Sequence, residues 1–237
     1  MKKLLLLLGC VLLSACSSVS SIERPASYYQ EPAAGEGGLL DGPLLANEDQ
    51  KIAELLSYRL TLPQQNRIAI LKLSGDNYWR FYSNDFTQLN DSLVTNLITQ
   101  LRASPRVYDA SFLPAMLVPE KRNLPALREA AARFQADLLL AYRSECHSYQ
   151  KYRFISPSES KSYCSVEAVL LDIRSGVIVK SVVASEDFVA TKTQADTNFN
   201  ETIKKAELEA LAKALGQVAG EVVKFMALVP TLAAAGQ

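Results

Sequence analysis

Cys146 and His147 are adjacent in the chain. A thiol and an imidazole are the side chains of metal centres and of thiol catalysis, so this pair is where chemistry has to be looked for first. His147 is the one histidine in 237 residues, so any Ser/His/Asp or Cys/His arrangement has to use it. The chain contains no GxSxG, HExxH or glycine-rich phosphate loop. The acids Asp76, Asp85, Asp91 and Asp109 are scattered, and 25 Asp and Glu in this length produce such near pairs by chance. They read as solvated surface. No catalytic residue, no metal and no cofactor is expected.

A second cysteine points to a different chemistry. Lys2 and Lys3 precede an apolar run, Leu4 to Leu13, interrupted only by Gly9 and Cys10. Ten residues are too few for a bilayer-spanning helix, which takes about 20, but they have the length and flanks of a signal-peptide core. Ser14 and Ala15 follow, then Cys16. The string Leu13-Ser14-Ala15-Cys16 resembles the bacterial lipobox. That motif implies fatty acylation (palmitate among the acyl chains) at the Cys16 thiol and cleavage just before it. Residues 1–15 are then signal peptide, and the mature chain starts at a lipidated Cys16. An ordinary secretory signal with a chance cysteine is the alternative. Ser17 stands where enteric-type lipoproteins kept in the inner membrane tend to carry Asp. By that resemblance the expected place is the periplasmic face of the outer membrane, with the inner membrane second.

The segment 16–45 is rich in Ser, Pro, Gly, Ala and Glu and reads as a tether. Extended it reaches roughly 100 Å, and as a coil it spans about 30 Å. Residues 46–229 suffice for one domain with a good core, and 230–237 form a tail. The precursor is formally neutral; loss of Lys2 and Lys3 leaves 23 basic residues against 25 acidic. No cluster of Lys or Arg offers anything to a phosphate backbone, and no nucleic-acid partner is expected.

Periodicity orders the elements that must position Cys146 and His147. Asn47, with Gln50 three residues on, starts a helix striped by Ile52, Leu55, Leu56 and Leu60. Arg67 to Leu73 reads as a strand. Leu89, Leu93, Leu97 and Leu101 stripe a helix over 85–103. A short strand over 106–110 and a helix marked by Leu124, Leu127, Ala131 and Phe134 follow. Strands over 137–149, 163–173 and 177–188 come next, the last two joined at Ser175-Gly176. Phe199 to Leu228 is a long closing helix. The fold class is α/β (α+β): a mixed sheet in the order β-α-β-α-β-β-β-α, with an extra N-terminal helix. The β-α-β part should be parallel and the last three strands an antiparallel meander.

The middle strands allow a sharper reading. Even positions carry Leu138, Leu140, Tyr142 and Cys146 on one strand, and Cys164, Val166, Ala168 and Leu170 on the next. Pairing in which residue numbers sum to 310 sets Leu140 against Leu170, Cys146 against Cys164, and Arg143 against Glu167 on the other face. A slip of one residue would invert every face. In an oxidising compartment, with Cys10 lost and Cys16 lipidated, this makes Cys146–Cys164 a disulfide; two free structural thiols are the alternative. Cys146 and His147 point to opposite faces of a strand and cannot ligate one ion.

The strings RIAILKL, LNDSLVTNLITQL, RVYDA, LREAAARFQADLLLAY and VEAVLLDIRSGVIV, over about 67–226, resemble a periplasmic domain. That domain is shared by the curli-secretion lipoprotein CsgG, the N-terminal domain of TolB, and the lipoprotein activators of penicillin-binding proteins. Its soft signatures are the Ala136-Asp137 step and the Asp172…Gly176 turn. The resemblance implies strand, helix, strand, helix, a three-strand meander and a last helix. Two features depart from it. The polar hairpin tip over 150–161 lacks the alternating arms of a pore-forming barrel, and the tether is shorter than that of the activators.

The reading that follows is a non-enzymatic envelope lipoprotein that binds another envelope protein as an assembly or regulatory factor. The alternative is an auxiliary lipoprotein of a transport system that binds a small apolar ligand. A large enclosed apolar cavity would favour the second, a solid core with exposed aromatics the first. Two aromatic segments lie outside the core pattern: Tyr78, Trp79, Phe81 and Tyr82 after the first core strand, and Tyr149, Tyr152, Arg153 and Phe154 after the third. If the two strands end at one edge of the sheet, the segments converge there as a partner-binding edge. The alternative is a lid folded over the core.

Overall fold

The computed structural model describes residues 19–20, 48–73, 84–154 and 156–231. Its elements in chain order are β1 (Val19–Ser20), α1 (Glu48–Ser57), β2 (Asn66–Lys72), α2 (Asn84–Arg102), β3 (Val107–Phe112), α3 (Leu124–Arg133), β4 (Leu138–Lys151), β5 (Glu159–Asp172), β6 (Ile178–Thr191) and α4 (Phe199–Leu228). A single 3-10 turn, Ala115–Leu117, links β3 towards α3.

The sheet runs β3-β2-β4-β5-β6, with β1 added on β4. β2 is parallel to β3 and to β4, and the three long strands form the antiparallel meander. The first crossover leads from β2 out to β3, and the second leads back past β2 to β4. Crossovers of one hand that reverse direction leave their helices on opposite faces. The core follows this rule. Ile68, Ile70, Leu138, Leu140 and Leu170 pack on one face with Leu93, Leu97 and Leu101 of α2 and Leu215, Val218 and Met226 of α4. Ala69, Leu71, Leu139 and Leu171 pack on the other with Leu127 and Ala131 of α3. Covered on both faces, β2 is an unbroken apolar run rather than an alternating one.

The two soft signatures in the sequence are local hydrogen-bonding devices. Asp137 Oδ2 accepts from the Arg67 N–H at 2.9 Å, and its Oδ1 accepts from Arg174, so one carboxylate ties the starts of β2 and β4 to the β5–β6 turn. Asp172 Oδ2 accepts from the Ser175 N–H at 2.9 Å and the Ser175 hydroxyl at 2.6 Å, which closes that turn. Gly176 sits there at φ 78°, and a Cβ on it would meet Arg128, whose guanidinium donates to the Ile173 and Arg174 carbonyls.

Three expectations change. The β4 and β5 arms are 14 residues each, and the hairpin turns beyond Lys151 rather than from Gln150 to Lys161. The alternating half of β5 is buried on its inner side against α4 (Ser160, Ser162, Cys164), so these arms have one wet face only. The apolar stripe of α1 does not face the core: Ile52, Leu55 and Leu56 are exposed, and only Leu60 packs inward. That segment is held instead by the Tyr58 hydroxyl on Asp172 and by Leu62, which is fully buried and bridged to Thr231. The chain therefore stays tied to the domain through Pro230 and Thr231, inside the expected tail. Asn47, the expected cap of α1, lies outside the described residues, as do the expected signal segment and Cys16.

Candidate functional site

The β4–β5 hairpin has the register read from the sequence: every pair from Leu138↔Asp172 to Lys151↔Glu159 sums to 310. Cys146 and Cys164 are directly opposite and bonded, with Cα atoms 4.1 Å apart. Arg143 reaches Glu167 at 3.8 Å on the other face. His147 stands on that outer face too, 3.3 Å from Glu145 and away from the disulfide. The thiol and imidazole that opened the search are thus separated by the pleat of one strand.

Beyond α3 no described element packs on the outer face of the meander. Its cross-strand rows are Arg143–Glu167–Val183, Glu145–Ser165–Ser185, His147–Tyr163–Asp187 and Tyr149–Lys161–Val189. Tyr149 and Tyr163 meet edge to face, centroids 5.8 Å apart, and are 42% and 44% exposed. The Lys161 ammonium lies 4.6 Å from the Tyr163 ring centroid and 3.1 Å from Asp187. Val183 and Val189 are exposed on β6, the edge strand. Tyr163, Val183 and Val189 were not singled out from the sequence, although the register already sets Tyr163 beside Tyr149.

Past the end of this face stands the hairpin tip. Tyr152 stacks on Phe199, the first residue of α4, at 5.0 Å, and its hydroxyl donates to Gln150 at 2.6 Å. Arg153 donates to Glu159 at 2.9 Å. Phe154 is 97% exposed.

β2 and β4 run parallel as expected, but they do not end level. β2 stops at Lys72, opposite Tyr142, while β4 runs nine residues further to Lys151, about 30 Å. β4 can outrun β2 because β5 pairs with it along its whole length. Tyr78, Trp79, Phe81 and Tyr82 lie outside the described residues.

A polar network anchors α4 beneath the tip. Asn198 Oδ1 caps the helix by accepting from the Glu201 N–H at 3.1 Å. Buried Asp196 accepts from the Thr193 N–H, the Thr202 hydroxyl and the Lys205 ammonium at 2.6–2.9 Å. Burial raises the Asp196 carboxyl, but the Lys205, Thr193 and Thr202 hydrogen bonds outweigh it and hold the group below the usual carboxylate range. For Lys205 burial lowers and Asp196 and Glu201 raise, and the net shift is upward.

No family model matches the chain, and no curated protein does. Among solved structures the chain is similar to the PelC dodecamer from Paraburkholderia phytofirmans, at 16% identity over 69% of this chain and 94% of that one, TM-score 0.32. It is similar to the lipoprotein GNA1162 from Neisseria meningitidis, at 19% identity over 68% and 98%, TM-score 0.31. It is also similar to a neuraminyllactose-binding hemagglutinin homolog from Helicobacter pylori, at 14% identity over 70% and 90%, TM-score 0.36. At these TM-scores the likenesses decide nothing about this chain.

Among the described residues no three of His, Cys, Asp and Glu are grouped to hold a metal ion, and no helix is long and apolar enough to cross a membrane.

Proposed function

We propose that this chain is a lipid-anchored lipoprotein of the cell envelope, on the periplasmic face of the outer membrane. In this reading it acts without catalysis, by binding another envelope protein as an assembly or regulatory factor. The lipobox-like string ending at Cys16 supports the anchor, and the resemblance to the CsgG, TolB and activator group supports the compartment. The observation that carries the binding role is the open face of the meander. Aromatic rings that are half exposed, valines at an unpaired edge, and paired charges between them have the composition of a protein interface. The side chains that fill the interior (Leu138, Leu140, Leu170, Leu215, Met226) are almost wholly buried, which favours this role over the apolar-ligand alternative.

The test is photo-cross-linking in intact cells, with a benzophenone side chain at Tyr163 or Val183 and at Leu228 as a remote control. Discrete adducts with an envelope protein at the first two positions support the reading. Normal accumulation without adducts there would refute it.

A further inference from the structure

Where β1 lies decides which end of the domain meets the anchor. Val19 pairs with Lys151 and Ser20 with Gln150, antiparallel. From Val19 to Ser20 the chain therefore runs away from the hairpin tip, and Val19 is the residue of β1 nearer to it. Only Ser17 and Ser18 separate Val19 from Cys16. Three peptide units reach no more than about 11 Å. Covalent reach alone thus keeps the Cys16 Cα within that distance of Val19, which pairs with the last residue of β4.

The tip has the composition of a membrane interface. Lys151, Tyr152, Arg153 and Phe154 are consecutive and all exposed. Phe154 leaves nearly its whole surface to water at the end of a 14-residue arm. A large ring held out in this way contributes nothing to the fold. Aromatic rings beside Lys and Arg are the side chains that settle at the headgroup level of bilayers. The tip is also built to keep its shape: Arg153 is pinned to Glu159 at 2.9 Å, Tyr152 to Phe199, and the arms are joined by the disulfide. A preorganised loop loses little freedom on docking. The opposite end of the domain, where α4 closes at Leu228, is roughly 45 Å away along a 30-residue helix.

We propose that the hairpin tip is a second membrane contact, in which Phe154 and Tyr152 seat in the headgroup region of the bilayer that holds the Cys16 lipid, with Lys151 and Arg153 at its phosphates. The inference rests on the lipidation of Cys16 proposed above. The lipid supplies the affinity; the tip fixes orientation, so that the domain stands on its hairpin with the open β4–β6 face sideways to the membrane.

The experiment uses the full mature lipoprotein, purified from membranes and reconstituted into vesicles of phosphatidylethanolamine with a minority of phosphatidylglycerol. Cys16 is acylated and Cys146 is bonded to Cys164, so Phe154→Cys introduces a unique thiol for an environment-sensitive nitrobenzoxadiazole label. Leu228→Cys, also at a highly exposed position, is the control. The substituted side chains lie outside the core, so both variants fold. In floated vesicles the label at position 154 should shift to the blue and be quenched by lipids carrying a nitroxide near the headgroup, while the label at 228 remains water-like. Flotation with both labels water-like overturns the tip contact and leaves the anchor standing. A blue shift at 154 without quenching means that protein covers the tip, and overturns it as well. Failure to float overturns anchor and tip together.

Discussion

The Tyr58 hydroxyl donates to Asp172 Oδ2 at 2.8 Å, joining the end of α1 to the β5–β6 turn across 114 residues of sequence. Asp172 is buried, and its other oxygen, Oδ1, has no hydrogen-bond partner among the described residues. Burial pushes the Tyr58 hydroxyl above its usual range, so it stays a donor at any physiological pH. Tyr58→Phe removes one of three donors to a buried carboxylate. The expected cost is about 1–2 kcal/mol, which lowers the melting temperature by roughly 2–8 °C at this domain size. An unchanged thermal midpoint would show that the α1 segment does not dock on the turn in solution.

The Cys146–Cys164 bond closes a loop with a sequence separation of 18. In the chain-entropy model such a loop is worth roughly 3 kcal/mol. Cys146→Ala with Cys164→Ala should therefore lower the melting temperature substantially, while the far-ultraviolet spectrum stays that of the native protein, since Leu138–Tyr142 and Val166–Leu170 keep their core contacts. Equal midpoints for oxidised wild type and the double variant would refute a stabilising role for the bond.

Acid should weaken the start of α4 through Asp196. Its folded value lies below the ordinary 3.8. A depressed carboxyl contributes stability that is present above the unfolded value and is lost as pH falls through the folded one. The Lys205 shift has the opposite sign, upward from 10.5, so its contribution is complete below that value and is lost only as pH rises through the folded value. Between these limits this network should be insensitive to pH. Urea unfolding midpoints should hold steady near neutrality and drop below about pH 4. In Asp196→Asn the neutral midpoint should be lower and the acid drop shallower; an identical acid profile would assign the drop to other groups.

Cys16→Ser removes the thiol that we propose is acylated. The expected product is an uncleaved precursor or a soluble periplasmic form, read by cell fractionation and by the mass of the N-terminal peptide. A mature-length variant that still fractionates with membranes as wild type does would contradict lipidation.

The meander was the most legible part of the fold, because one register had to satisfy Leu140–Leu170, Arg143–Glu167 and Cys146–Cys164 together. The long arms were less so. Past Cys146 and before Cys164 the sequence turns to Ser, Gln and Lys, which looks like a loop, yet these residues pair to Lys151↔Glu159, and beneath α4 the buried Ser162 finds a polar partner in Ser148, which in turn donates to Glu207. The α1 stripe misled for the opposite reason. Its spacing is helical, and a helix does form, but spacing alone cannot say whether any surface faces it. Of the candidate binding residues, Tyr149, Tyr152 and Phe154 are exposed. That Tyr163 and Phe199 would be their ring partners depended on strand length and on where α4 starts, and neither was fixed by local pattern.

The division of the sheet into parallel and antiparallel parts has a consequence for the order in which the chain folds. The β4–β5–β6 meander and α4 are sequence neighbours with short turns, so their contacts close small loops and form early. The β2–β4 pairing joins Ile68 to Leu138 and must close a loop of some 70 residues, which holds α2, β3 and α3. During synthesis the N-terminal half emerges first, but β2 gains its second parallel neighbour only when β4 is made. The apolar run Ile68–Leu71 therefore stays without its β4 neighbour until Leu138–Ala141 is in place.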